Sequence, residues 1–269
     1  MIEEVNDENI TEVLDIIGES PFDNIILIAD LTQLKEWCEI KLVRSNGSIQ
    51  GIFSLYRDLD FLAGAFWVQD ARSLKMLVDS YGSTLQNVEM VFICTKQQLQ
   101  MLQEIAEKIE PIKERQMVME APDKLVCKEV APVDRLTMND AEELRDLYRV
   151  CGTPAWTPNA LNFGPFYGVR DEQGKIVSVA GVHFVTKFGS EIGNVATHPN
   201  HRRKGYAICC IAATTKEVLK GSDRVLLHFF EDNIGAKRLY EKMGFVYSPV
   251  DPVYFTKATL GWKKRGKRG

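Results

Sequence analysis

The stretch NVATHPNHRRKGYAICCIAA, Asn194 to Ala213, constrains the chain more than any other part of it. A strand ends at Pro199, a polar turn carries Arg202, Arg203, Lys204 and Gly205, and a strongly apolar helix follows. The first turn of a helix leaves backbone N–H groups unpaired, so several donors converge at this junction and an anion belongs there. Gly205 lets the backbone approach closely, and the small Ala207 keeps the helix from pushing a ligand away. The basic side chains add positive field. Taken alone, the same residues also suit an ordinary basic helix start or a patch for nucleic acid.

Composition narrows that choice. At 269 residues, 45% hydrophobic and 26% charged, the chain can bury real cores and is long enough for two domains. MIEEVNDENI has neither the basic start nor the apolar centre of a signal peptide, and no apolar run approaches the roughly 20 residues that span a bilayer. The expectation is a cytoplasmic protein without a membrane partner. The six cysteines lack a C-x-x-C spacing and no histidine pair has zinc-site spacing, so reduced core thiols and no metal are expected. Residues 1–125 carry 22 acidic and 11 basic side chains, a net of -11, whereas 126–269 carry 15 and 22, a net of +7. A cationic second half fits an anionic ligand, and the acidic first half argues against wrapping a nucleic acid. The basic tail WKKRGKRG reads as a solvated terminus.

Two prolines and several charges in EAPDKLVCKEVAPVD suggest a crossing between domains, with a boundary near Asp123: modules 1–123 and 124–269. In the second module, TMNDAEELRDLYRVCG predicts a helix stopped by Gly152, and Thr153 to Phe166 a Pro/Gly/aromatic loop. FYGVRDEQGKIVSVAGVHFV predicts a hairpin turning at Asp171 to Gly174, and SEIGNVATHP a further strand. The helix after Gly205, the strand DRVLLHFFEDN, a helix closed by Gly244 and one or two last strands complete a mixed α/β sheet. The first module has a similar order: VNDENITEVLDIIG helical, NIILIADL, SIQGIFSLYRD and FLAGAFWV strands, SLKMLVDSYG a helix, VEMVFICT a strand and QQLQMLQEIAEKI a helix. No glycine turn precedes its helix after Trp67, so it reads as a degenerate duplicate without the motifs.

About 25 residues beyond the basic turn stands N-I-G-A-K-R-L-Y-E-K-M-G-F, Asn233 to Phe245. This pairing of R-x-x-G-x-A with N-x-x-A-x-x-L-Y-x-x-x-G-F resembles the GNAT superfamily of acyl-CoA-dependent N-acyltransferases, over about residues 126–256. The resemblance implies that the N–H groups from Arg203 to Ile208, with Arg202, Lys204, Gly205, Tyr206 and Ala207, hold the pyrophosphate of acetyl-CoA or another acyl-CoA. It implies pairing of pantetheine along Val195, Ala196 and Thr197, with an oxyanion donor near Val195 or Ala196. It places Asn233 and Ala236 at the wedge between diverging strands, and Tyr240 beside the departing thiolate. Details around Glu191 to Ala207 resemble the glycine N-acyltransferase-like branch, and the first module becomes a degenerate GNAT-like one.

Each of these residues also has a plain structural reading. Tyr240 can pack its helix onto the sheet, and Asn233 can cap it. For the base, Glu191 on the central strand, His183 on the strand before it and a water chain stay open; His228 shares strand parity with Phe230 and can face a packed surface. Trp156, Gly164, Pro165 and Phe166 suit the acceptor entrance, a lid or domain packing. The expectation is an α/β (α+β) protein of two tandem modules with mixed, mostly antiparallel sheets flanked by helices. Its second module is expected to be an N-acyltransferase, most simply an N-acetyltransferase, acting on a primary amine of a small molecule or peptide. The alternative is a CoA-sensing or interaction module without turnover.

Overall fold

A computed structural model describes residues 1–153 and 156–260. Pro154 and Ala155 of the aromatic loop, and the basic tail, lie outside the described residues. The chain forms two compact units: Met1–Glu114 together with the chain from Val250, and Arg115–Pro249.

The first unit contains β1 (Ile2–Glu4), α1 (Ile10–Gly18), α2 (Pro21–Leu31), β2 (Cys38–Ser45), β3 (Ser48–Tyr56), β4 (Leu62–Val68), α3 (Ala71–Asp79), β5 (Val88–Cys94), α4 (Lys96–Ile105), residues 106–114 of β6 (Ala106–Met119), and the late strand that becomes β13 (Val253–Leu260). Its strand order is β1-β2-β3-β4-β5-β13-β6, antiparallel throughout except for β4 and β5. Phe53, Phe66, Phe92, Leu74 and Leu102 anchor its core, to which Ala258 and Leu260 of β13 contribute.

Two elements of this unit correct the sequence reading. NIILIADL is not a strand but most of α2: Pro21, with its preset φ, opens the helix, and residues from Asn24 to Leu31 other than Ile26 are buried. A helix that is apolar almost all round has no 3.6-residue signal, and a short apolar run then looks like a strand. The helix expected to reach Ile109 ends at Ile105, and the chain turns into β6. The charges and Pro111 of its exposed half hid that strand. The Thr95–Gln98 capping box fixes the start of α4.

The second unit contains residues 115–119 of β6, then β7 (Asp134–Leu136), α5 (Ala141–Cys151), α6 (Ala160–Phe163), β8 (Phe166–Arg170), β9 (Ile176–Val185), β10 (Ser190–Thr197), α7 (Tyr206–Val218), β11 (Val225–Phe230), α8 (Ile234–Met243) and β12 (Val246–Tyr247). The order is β7-β8-β9-β10-β11-β6, with β12 also on β6. Parallel pairing links β10 to β11; the other registered pairs are antiparallel. Gly152 (φ 72°) stops α5 in the left-handed conformation, and Gly244 (φ 94°) stops α8. The Asp171 carboxylate accepts the N–H groups of Gln173 and Lys175 in the β8–β9 turn. Leu144, Leu147 and Tyr148 form the buried stripe of α5, as its periodicity requires. The fold is mixed α/β with mostly antiparallel sheets flanked by helices. Among the described residues no helix is long and apolar enough to cross a membrane.

Candidate active site

Strands β10 and β11 pair only from Ser190–Ile192 to Val225–Leu227. Beyond Ile192 they run on without a shared register, so a wedge opens between parallel neighbours. On its other side, β10 pairs Gly193 with Gly181 and then Ala196 with Val179, which leaves Asn194 and Val195 out of the ladder. This bulge is built on Asn194 at φ 52°, a left-handed conformation that asparagine tolerates better than most residues. The buried Tyr148 hydroxyl of α5 donates to the Asn194 carbonyl at 3.0 Å and pins the bulge. Burial raises the Tyr148 hydroxyl well above its ordinary pKa, so it remains a donor. The Asn194 side-chain amide is buried, and neither of its polar atoms has a hydrogen-bond partner among the described residues.

From Thr197 the chain passes a short turn over Pro199–His201 and reaches α7. Arg203 (φ 65°) and Gly205 (φ 84°) both adopt left-handed backbone, which curls the chain so that successive N–H groups point inward. The N–H groups of residues 203–208 meet no acceptor among the described residues; backbone bonding resumes when Cys209 N–H reaches the Gly205 carbonyl at 3.4 Å. Arg202 Nε donates to the Thr197 carbonyl at 3.1 Å, so that guanidinium braces the loop. Arg203 and Lys204 are exposed, while Gly205 to Ile208 are half-buried. A Cβ on Gly205 would stand 3.1 Å from Val130 Cγ2. Behind the turn, Cys209, Cys210 and Ile211 are buried, which keeps the helix start fixed against the sheet.

Asn233 caps α8, its Oδ1 accepting Ala236 N–H at 3.0 Å. Tyr240, one turn further on, is buried against Phe229 (centroids 5.5 Å) and Phe245 (6.1 Å). Burial pushes its hydroxyl pKa up to about 12. The packing and capping roles weighed for Tyr240 and Asn233 are therefore present, and the Tyr240 hydroxyl is left over from them.

A polar group occupies the other face of β11. Alternation along the strand turns His228 away from Phe229 and Tyr240. His228 Nδ1 lies 2.9 Å from Glu191 Oε1, and Gln116 Nε2 lies 2.9 Å from His228 Nε2. His183 of β9 covers Gly193, where a Cβ would meet its Nε2 at 1.9 Å. Burial raises the Glu191 pKa, but the charge and hydrogen bond of His228 and the charge of His183 outweigh it and hold the carboxyl below its ordinary value. Burial dominates at His183 and lowers its pKa.

The structure thus brings Val195, Ala196 and Thr197 to the bulged side of the wedge, Arg202 to Ile208 to the helix start beyond it, and Glu191 beside His183. Phe166 does not line an opening: it is fully buried, its ring lying 2.1 Å from where a Gly181 Cβ would stand. Gly164 is close-packed against Val182 and Val185, while Trp156 stacks on Tyr148 at 5.1 Å between centroids. Sequence reasoning missed Gln116, read Tyr148 only as part of the buried stripe of α5, and read His228 only as facing a packed surface. For His228 the signal lies in the register: Glu191 stands opposite Leu226, and His228 is one pleat further along the same face. That register is not readable before the strands are paired. Among the described residues, no group of three or more His, Cys, Asp and Glu side chains could hold a metal ion.

The parallel pair splayed at a bulged strand, followed by a helix with exposed N–H groups, is shared with solved structures of GNAT-type fold. A family model described as FR47-like protein matches residues 166–250. Solved structures similar over most of the chain include a GNAT-family protein from Novosphingobium aromaticivorans (20% identity, 90% of this chain and 98% of that one, TM-score 0.64). A Drosophila protein superposes with a TM-score of 0.74 at 14% identity, over 96% of this chain and 98% of that one. A tandem GNAT protein from the clavulanic acid biosynthesis pathway does so with 0.63 at 13% identity, over 97% and 98%. No curated protein matches the chain.

Proposed function

We propose that the chain is an acyl-CoA-dependent N-acyltransferase, most simply an N-acetyltransferase, that acylates a primary amine by direct attack within a ternary complex. The carrying observation is the run of N–H groups from residue 203 to 208 without an acceptor, curled by Arg203 and Gly205 at the start of α7. Such a run fits a pyrophosphate. We assign the chemistry to residues 124–269 and treat 1–123 as a degenerate GNAT-like module without these groups. A cytoplasmic location, and no role for metal, nucleic acid or membrane, complete the proposal.

Bound acyl-CoA supplies an activated thioester. The backbone of Val195 and Ala196, at the bulge, serves as strand partner to the pantetheine, and the N–H of Val195 or Ala196 is the donor to the oxyanion. Glu191, ionised below the ordinary carboxylate range, takes the proton that the attacking amine must lose. Tyr240, with its pKa near 12, keeps its proton at neutral pH and donates a hydrogen bond to the sulfur as the C–S bond breaks. Asn233 and Ala236 hold the start of α8 at the mouth of the wedge.

Thiol release from acetyl-CoA across a panel of amines tests the reading. Amine-dependent release, with the N-acyl product seen by mass spectrometry, is expected. CoA binding without release above hydrolysis for any amine would replace the enzyme by a CoA-sensing module.

A further inference from the structure

We infer that His228 is the positioning residue that orients Glu191 and keeps it ionised; the inference rests on Glu191 being the base of the proposed transfer. An ionised carboxylate only accepts hydrogen bonds, so the 2.9 Å contact requires the proton to sit on His228 Nδ1. The Gln116 amide lies 2.9 Å from the other ring nitrogen, Nε2. Gln116, His228 and Glu191 come from three neighbouring strands, β6, β11 and β10, and form one chain that ends on Oε1. Both side chains of the pair are largely shielded, with 7% and 11% exposure, so water cannot replace the donor cheaply.

The titratable groups acting on Glu191 are His228 and His183. His183 is packed over Gly193 and acts on the carboxyl through charge alone, without a hydrogen bond. Of the two imidazoles, His228 therefore sets both where the carboxylate points and when it protonates. With the proton already on His228 Nδ1, the proton removed from the amine stays on Glu191.

Isotope-edited NMR titration of the Glu191 carboxyl reads this directly in the full-length protein, in His228→Leu, His228→Asn and His183→Leu variants. His228→Leu should raise the Glu191 midpoint by at least about one pH unit, a tenfold change in its proton affinity. His228→Asn, whose amide nitrogen can stand near the Nδ1 position, should restore part of the shift, and His183→Leu should move it less than His228→Leu does. With one amine throughout, the acidic limb of the pH–rate profile should shift in His228→Leu by the same amount, with acyl-CoA KM unchanged. An unmoved carboxyl midpoint in a folded His228→Leu protein overturns the inference even if Glu191→Gln abolishes turnover. Full turnover in Glu191→Gln overturns the proposed base, and with it the catalytic role of His228, whatever the titration shows.

Discussion

Gly205 carries more of the site than the cations beside it. Its φ of 84° and the 3.1 Å approach of Val130 to the place of a Cβ make any side chain there strained and crowded. Gly205→Val should weaken CoA binding, measured by calorimetry, by more than about 1.4 kcal/mol, a tenfold rise in Kd. Lys204→Ala should cost less and lose its effect in salt, because Lys204 is exposed. Asp30 gives a prediction of a different kind. It is buried in α2, and burial pushes its carboxyl up to about 7, against weaker opposition from Ser54 and Cys38. A carboxyl raised in the folded state binds more protons folded than unfolded between its ordinary pKa and about 7, so stability falls as pH rises through that window. The slope is about 1.4 kcal/mol per pH unit. Asp30→Asn should flatten the denaturation midpoint between pH 4 and 7 and raise it at pH 8. At this scale the sequence displayed Gly205, Ala207, Asn233 and Tyr240 through spacing, whereas His228 and Gln116 became visible only through strand pairing.

The element that defines the wedge is β10, and its bulge is held from outside by α5. Tyr148→Phe removes the donor to the Asn194 carbonyl and should cost about 1–3 kcal/mol in urea denaturation. Acyl-CoA affinity should fall with it, since Val195 lies in the bulge and Ala196 follows it directly. On α8, Tyr240→Phe keeps the packing on Phe229 and Phe245, so stability and CoA affinity should persist while turnover falls roughly 10-fold or more. Unchanged turnover with the preferred amine would remove Tyr240 from the reaction. Elements with punctuation were legible beforehand: α5 with its glycine stop, the β8–β9 hairpin, and α7 after Gly205. Those decided by tertiary burial were not. Helix α2 gave no period because it is buried nearly all round, and β6 looked like the tail of a helix because its exposed half carries Lys108, Glu110 and Lys113.

At the scale of the whole chain, the first unit places a strand from a distant part of the sequence inside its own order. In the first, β13 lies between β5 and β6; in the second, residues 115–119 of β6 lie next to β11, with β12 on their other side. Ending the chain at Pro249 should strip β5 and the first part of β6 of their common partner and open the core at Ala258 and Leu260. Hydrogen exchange should then show loss of protection in β5 with protection retained in β8, β9 and β10. Protection in β5 equal to that of the full chain would show that β13 is dispensable. The repeated helix–strand order was readable in the sequence because local patterns mark elements. The placement of β13 was not, since nothing local distinguishes a strand that pairs nearby from one that pairs across more than a hundred residues.

That long-range pairing has a consequence during synthesis. Residues 1–114 emerge from the ribosome before residues 115–249, yet their sheet lacks its sixth strand in spatial order until Val253–Leu260 follow. Residues 115–249 meet no such delay, because every strand of their unit precedes Val250. Of the two units, the one begun earlier is therefore the one completed later, and the open edge of β5 waits through the synthesis of residues 115–249 for Val253–Leu260.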